Sequence, residues 1–139
     1  MGGAATVAVS DRIRRADWAE ARPHLSRALG YVDVADAVAA EVAAGAAEVW
    51  RIDHDNGRAS YMVTRVEGSE VVIVAYEGER CRPVMRALVE HLRARGFASL
   101  RFHTTMPWLI ELFRDYEPEP LEYVVRVYLD GRAKQKLYN

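Results

Sequence analysis

The chain has 139 residues, half of them hydrophobic and 28% charged, with Lys+Arg 19 against Asp+Glu 20 and a formal net charge of -1. That length predicts a single domain over residues 1–139, large enough to bury one core without staples, and the balanced charge excludes a global electrostatic case for nucleic acid or membrane. A lone cysteine, Cys81, excludes an internal disulfide framework or cysteine-based zinc site, and with neither a signal-like N-terminus nor a run of about 18 apolar residues the expectation is a cytoplasmic protein.

Residues 6–9 predict a short first strand. Asp17 and Glu20 then stand as a helix cap and its third helical residue, ahead of Trp18, Leu25 and Leu29, and Pro23 interrupts or bends that helix. A second helix begins at Asp33, places Val34, Val38 and Val42 four apart on one face, and stops at Gly45. From Glu48 the hydrophobic period changes to two over residues 49–52 and 58–66, with a polar turn at 53–57 between them. Gly68 and Ser69 turn the chain into 71–76, a continuous apolar run as expected of a strand covered on both faces, and the three runs predict an antiparallel meander. Pro83 suits the first position of a helix over 83–95, in which Met85, Leu88, Val89 and Leu92 fall at helical spacing before Gly96. Residues 99–103 predict a strand parallel to 71–76, because a short strand, helix, strand unit closes right-handed. An amphipathic helix over 106–116, ended by Pro118 and Pro120, leads to a last alternating strand over 122–129, and the polar, basic residues 130–139 are expected to fray.

This order is α+β: a mostly antiparallel mixed sheet with one parallel pair and helices on both faces. Over residues 6–129 it resembles the GNAT superfamily of N-acetyltransferases. The resemblance implies that the fourth strand and the helix after it hold the pyrophosphate of acetyl-coenzyme A (acetyl-CoA) or another acyl-CoA, with the thioester where the fourth and fifth strands splay apart. Here the cofactor would meet Val74, Ala75 and Tyr76 by backbone pairing, and Gly78, Glu79, Arg80, Cys81 and Arg82 by the N–H groups of the turn. The implied partners are the acyl-CoA and an amine acceptor, with a homodimer as a further option. Two departures are visible. The family's Q/R-x-x-G-x-G/A loop is represented only by Gly78, with Cys81, Arg82 and Pro83 where small residues are usual, and Phe113 stands at the usual place of a general-acid tyrosine, one turn before Tyr116. They point to a divergent member or to a non-catalytic binding module that keeps the sheet. The 106–116 segment and the compact length also resemble GNAT-like proteins of bacteriophages and prophages, which implies host-protein or nucleobase modification, or a virion-associated or regulatory role, in the host cytoplasm or the virion.

Amine acylation needs a base for the ammonium proton, an N–H near the thioester oxygen and an acid for the departing thiolate. Candidate bases are Glu48, Glu67, Glu70, Glu77 and His103, with His103 preferred because the C-terminal end of a strand beside its parallel partner is where open sheets present ligands. Tyr76, at the matching end of the partner strand, is a candidate acid or a lining residue. Arg80, Arg82 and Arg86 surround a helix start whose free N–H groups and dipole favour an anion. Cys81 at that start is a candidate thiol of lowered pKa, although no base is supplied for it. The arginines at 80, 82, 86, 93, 95 and 101 make a locally basic region that would suit a coenzyme 3′-phosphate or a nucleic-acid backbone, or form a solvated face with Glu79 and Glu90. His24, His54, His91 and His103 show no metal-ligand spacing, so no metal is expected. Trp50, Trp108 and Tyr61 read as core anchors rather than as stacking platforms.

Overall fold

The computed structural model describes residues 13–79, 81–103 and 107–121, together with 125, 127 and 129; for 107–109 only the backbone is described. The expected first strand at 6–9, Arg80, the tail at 130–139 and the side chain of Trp108 lie outside the described residues.

A five-stranded sheet in the order β1-β2-β3-β4-β5 forms the centre. The meander is β2 (Glu48–Asp53), β3 (Ala59–Glu67) and β4 (Glu70–Glu77), all antiparallel, and β5 (Ser99–Phe102) lies parallel to β4. Beside β2 runs β1 (Ile13–Arg15), a strand the sequence did not announce: three residues, two of them arginine, carry no readable alternation, and pairing with β2 alone defines it.

Alternation along the strands feeds two cores. On one face Trp50, Ile52, Met62, Val71 and Ile73 meet Val84, Met85, Leu88 and Leu92 of α4 (Cys81–Ala94). On the other, Val49, Tyr61, Val63 and Ala75 meet Ala21, Leu25, Leu29, Ala35 and Val38. Helices therefore cover both faces, as expected. Trp50 and Tyr61 are core residues, and the one polar atom of the Trp50 ring is satisfied by donating to the Thr64 hydroxyl at 2.9 Å.

Pro23 divides the first helix as its chemistry requires, since it lacks an N–H and its ring crowds the preceding turn. The result is α1 (Trp18–Ala21), a 3₁₀ turn (Arg22–Leu25) and α2 (Ser26–Leu29). Asp17 has the extended backbone of a cap but makes no capping hydrogen bond, and Glu20 bonds across to the sheet instead of back to the helix start. The next helix, α3, covers Val32–Ala43 and buries Ala35 and Val38. Helix α4 begins before Pro83, which becomes its third residue; the missing N–H still falls in the first turn, where no helical acceptor exists. The expected amphipathic helix at 106–116 winds as a 3₁₀ helix, Pro107–Tyr116. Ile110, Leu112, Phe113 and Tyr116 are partly or fully buried, and Leu112, Phe113 and Tyr116 pack on the α4 core. Most of the expected last strand, 122–129, lies outside the described residues; Val125, Val127 and Leu129 are exposed and in no strand.

A polar cluster ties α1 to β1, β2 and β3. The Tyr61 hydroxyl donates to Glu20 at 2.8 Å, and Arg51 donates to Glu20 at 2.9 Å and to Asp53 at 2.8 Å. Arg14 also reaches Asp53, at 3.2 Å, and His24 stacks on the Tyr61 ring with centroids 4.7 Å apart. The Tyr61 hydroxyl, and then Arg51, hold the Glu20 carboxyl below its ordinary value of 4.5, and Arg51 lowers Asp53 in the same way. Carboxyls depressed on folding stabilise the native state above their unfolded values, and that stabilisation is lost as pH falls through the folded ones. The melting temperature is thus expected to hold from pH 8 to 5 and to fall below about pH 4.5, as measured by circular dichroism. In Tyr61→Phe the acid-induced fall should be shallower, because the first cause of the Glu20 depression is gone; an unchanged pH profile would remove this cluster from the account.

Candidate functional site

Pairing between β4 and β5 runs from Glu70 opposite Ser99 to Ile73 opposite Phe102 and stops there. β4 itself continues to Glu77. The register with β3 explains the divergence: Thr64 lies opposite Ile73 but Val63 lies opposite Ala75, so Val74 is an extra residue in β4, a bulge. Ile73 packs with the α4 core, while Val74 and Ala75 both pack on the opposite face. A bulge bends its strand and increases the local twist, here at the point where β5 ends. The backbone of 74–77 therefore has no β5 partner, and the sequence-predicted cofactor residues Val74, Ala75 and Tyr76 lie along that edge.

Gly78 and Glu79 connect β4 towards α4, whose first residues are Cys81 and Arg82. Gly78 has φ +143°, and a Cβ there would lie 2.1 Å from Ser60 Oγ and 2.7 Å from Ser60 Cα. Only glycine fits, on both counts. The Glu79 carbonyl accepts from the Tyr76 hydroxyl at 2.9 Å and from Ser60 Oγ at 3.1 Å. Burial pushes Tyr76 up to about 12, and its proton is engaged with that carbonyl, an arrangement that locks the turn. Burial also pushes the Cys81 thiol above its ordinary value, which corrects the expectation of an activated thiolate: α4 begins at Cys81, yet the side chain is half-buried among apolar neighbours. Arg82 is exposed and, among the described residues, makes no hydrogen bond or ion pair. It lines a pocket of about 230 Å³ between α4 and the 3₁₀ helix, together with Glu111, Leu112, Arg114 and Asp115.

Among the described residues, Arg86, Arg93 and Arg101 are each paired with carboxylates. Arg86 pairs with Asp115 at 3.0 Å, Arg93 with Glu90 at 3.4 Å, and Arg101 with Glu67 at 2.9 Å and Glu70 at 3.2 Å. The candidate bases separate in the same way. Glu48 pairs with Arg15 at 2.8 Å, and Glu67 and Glu70 stand at the far end of the sheet, around the β3–β4 turn. Glu77 is at the diverging end; its carboxylate accepts the Ala28 N–H of α2 at 2.8 Å, with no cation paired to it among the described residues. His103, the residue after β5, is exposed at the same end. Phe113 packs on Phe102 with centroids 4.9 Å apart, and Tyr116 donates to Glu90 at 3.3 Å. No three histidine, cysteine or acidic side chains lie close enough to hold a metal among the described residues, and none of the described helices is long and apolar enough to cross a membrane.

Sequence reasoning missed the β2–β3 hairpin as part of this region. Asn56 and Arg58 both donate to the Glu79 carboxylate, Arg58 at 3.2 Å, and His54 Nε2 lies 2.7 Å from Ser60 Oγ. The hairpin was visible as a turn, but its contact with residues 78–79 depends on the bulge.

No protein-family model matches the chain, and no curated protein does. Among solved structures, TTHA1254 from Thermus thermophilus is similar with a TM-score of 0.46 and 18% identity, over 88% of this chain and 99% of that one. Glucosamine-6-phosphate N-acetyltransferase from Arabidopsis thaliana is similar with a TM-score of 0.44 and 12% identity, over 85% of this chain and 97% of that one. Likeness at this level does not assign the chain to a family.

Gly78→Ala places a side chain where Ser60 stands and forces a strained backbone. We expect a loss of about 1–3 kcal/mol from the backbone alone, read as a lower denaturation midpoint, whereas Gly57→Ala, with open space around it, should lose only the strain of its φ of +80°. Equal midpoints for the two variants would refute the close approach.

Proposed function

We propose that this protein binds an acyl-CoA along the diverging ends of β4 and β5 and transfers the acyl group to an amine. The observation that carries the reading is the run of β4 beyond Ile73 without a β5 partner, directly before the start of a long helix. The backbone edge at 74–77 suits the amides of the pantetheine arm. The first-turn N–H groups of α4, which have no acceptor within the helix, and Arg82, which has no partner among the described residues, suit the pyrophosphate. Arg80 belongs to the same proposal from the sequence. The bound thioester supplies the activated acyl carbon. A base takes one proton from the ammonium, the freed amine nitrogen attacks the acyl carbon to form the C–N bond, the C–S bond breaks, and the second proton shed by that nitrogen passes to the departing thiolate.

Glu77 and His103 are the two candidate bases at this end of the sheet. Glu77 is the stronger on geometry, because its carboxylate is fixed by the Ala28 N–H and has no neutralising cation among the described residues. Tyr76 lines the site in this reading. A second reading, a binding module without catalysis, is favoured by Phe113 on Phe102, which fills the α4 side of the divergence.

Calorimetric titration with acetyl-CoA and CoA tests the proposal. Saturable binding is expected, weakened by about 1.5–3 kcal/mol in Arg82→Ala if that guanidinium makes a charge-assisted contact. Glu77→Gln keeps the acceptor for Ala28 and should retain coenzyme affinity while losing about 100-fold or more of acyl transfer to an amine. No binding at millimolar coenzyme would discard the acyltransferase reading and leave the binding module; binding without transfer in the parent protein would leave it as well.

A further inference from the structure

We infer that the β2–β3 hairpin is the positioning element of this site: His54, Asn56, Arg58 and Ser60 hold Gly78 and Glu79 in a turn shaped for a pyrophosphate-bearing carrier. The ligand in this inference rests on the acyl-CoA reading, and its geometry on the hairpin contacts alone.

An anion over a turn is repelled by any carbonyl that points at it and by any nearby carboxylate. Residue 79 brings both. Its carbonyl is held by two hydroxyls, Ser60 at 3.1 Å and Tyr76 at 2.9 Å, one for each lone pair. Ser60 is fully buried and uses its single hydrogen in that bond. His54, 2.7 Å away, then donates its Nε2–H to Ser60 Oγ and fixes the hydroxyl rotor. The Glu79 carboxylate is drawn onto the hairpin by the Asn56 amide and by Arg58, which hold it ionised below the ordinary carboxylate range. Asn56 is itself oriented, since its Oδ1 accepts the Arg58 N–H at 3.0 Å. Gly78 permits the approach, because any side chain there would meet Ser60. The hairpin thus removes the two repulsive groups of a turn that lacks the small residues by which a backbone wraps phosphate.

The test compares the parent protein, Asn56→Ala/Arg58→Ala, and the same double variant with Glu79→Gln, using CoA and the phosphate-free S-acetylpantetheine as ligands. Freeing the Glu79 carboxylate should weaken CoA about 10-fold and leave S-acetylpantetheine unchanged, and Glu79→Gln should restore CoA binding. An unchanged CoA affinity, an equal loss for both ligands, or no rescue would overturn the inference. Amide hydrogen exchange of residues 78–82 separates it from the acyl-CoA reading. Should the parent bind neither ligand, that reading falls, and exchange about 10-fold faster in the double variant than in the parent supports the hairpin's role, while equal exchange overturns it.

Discussion

One extra residue in β4, Val74, sets the geometry at the end of the sheet where β4 and β5 diverge. Below it, β4 is bonded on both sides and buried on both faces, with Val71, Val72 and Ile73 almost inaccessible to solvent. Above it, the strand has turned relative to β5, keeps its pairing with β3 as far as Tyr61 opposite Glu77, and presents its other edge without a β5 partner. A parallel pair that ended flush would expose only strand ends. A bulge at the same level instead creates a wedge with one hydrogen-bonding wall, and it moves residue 78 into contact with Ser60.

The distribution of charge sharpens that end by subtraction. Exposed ion pairs contribute little stability one by one, about 0–1 kcal/mol, but they decide which charged groups remain available. Arg65, Glu41, Glu67, Arg101 and Glu70 neutralise one another around the far end of the sheet. Arg14, Arg51, Glu20 and Asp53 do so beside α1. Arg86 and Arg93 are drawn to Asp115 and Glu90, and Arg93 also lies over the Tyr116 ring. Arg82 and Glu77 stand apart from these networks, one on each side of the turn that follows β4. A chain of near-zero net charge thereby carries, among the described residues, a cation and a carboxylate without ionic partners at one end.

Much of the fold was readable because its elements are periodic over long windows. The meander, the parallel β4–β5 pair and α4 rest on alternation, on a continuous apolar run and on Leu88 and Leu92 at helical spacing, and each occurs within a few residues of its expected bounds. The failures have local causes. β1 is three residues of mostly polar chain, defined by its pairing with β2, and the 107–116 segment carries an amphipathic pattern that reads as an ordinary helix but winds as a 3₁₀ helix. For Cys81, helix position and neighbouring arginines are visible in one dimension, whereas the burial that raises its thiol is not.

The sequence by itself determined the α+β class, the two-faced sheet and the presence of a turn after β4, since these follow from hydrophobic period and from proline and glycine positions, although α4 begins two residues earlier than Pro83 announces. Tertiary structure decided what that turn touches. Counting back from the tight turn at Gly68 and Ser69, an unbroken hairpin register would place Ser60 opposite Glu77; the bulge at Val74 shifts the pairing by one and brings Ser60 to Gly78 instead. A one-residue shift leaves almost no trace in composition or periodicity when the residues around it are all apolar. It is fixed by how β4 packs between two cores, and with it the hydroxyls on the Glu79 carbonyl and the stretch of β4 that has no β5 partner.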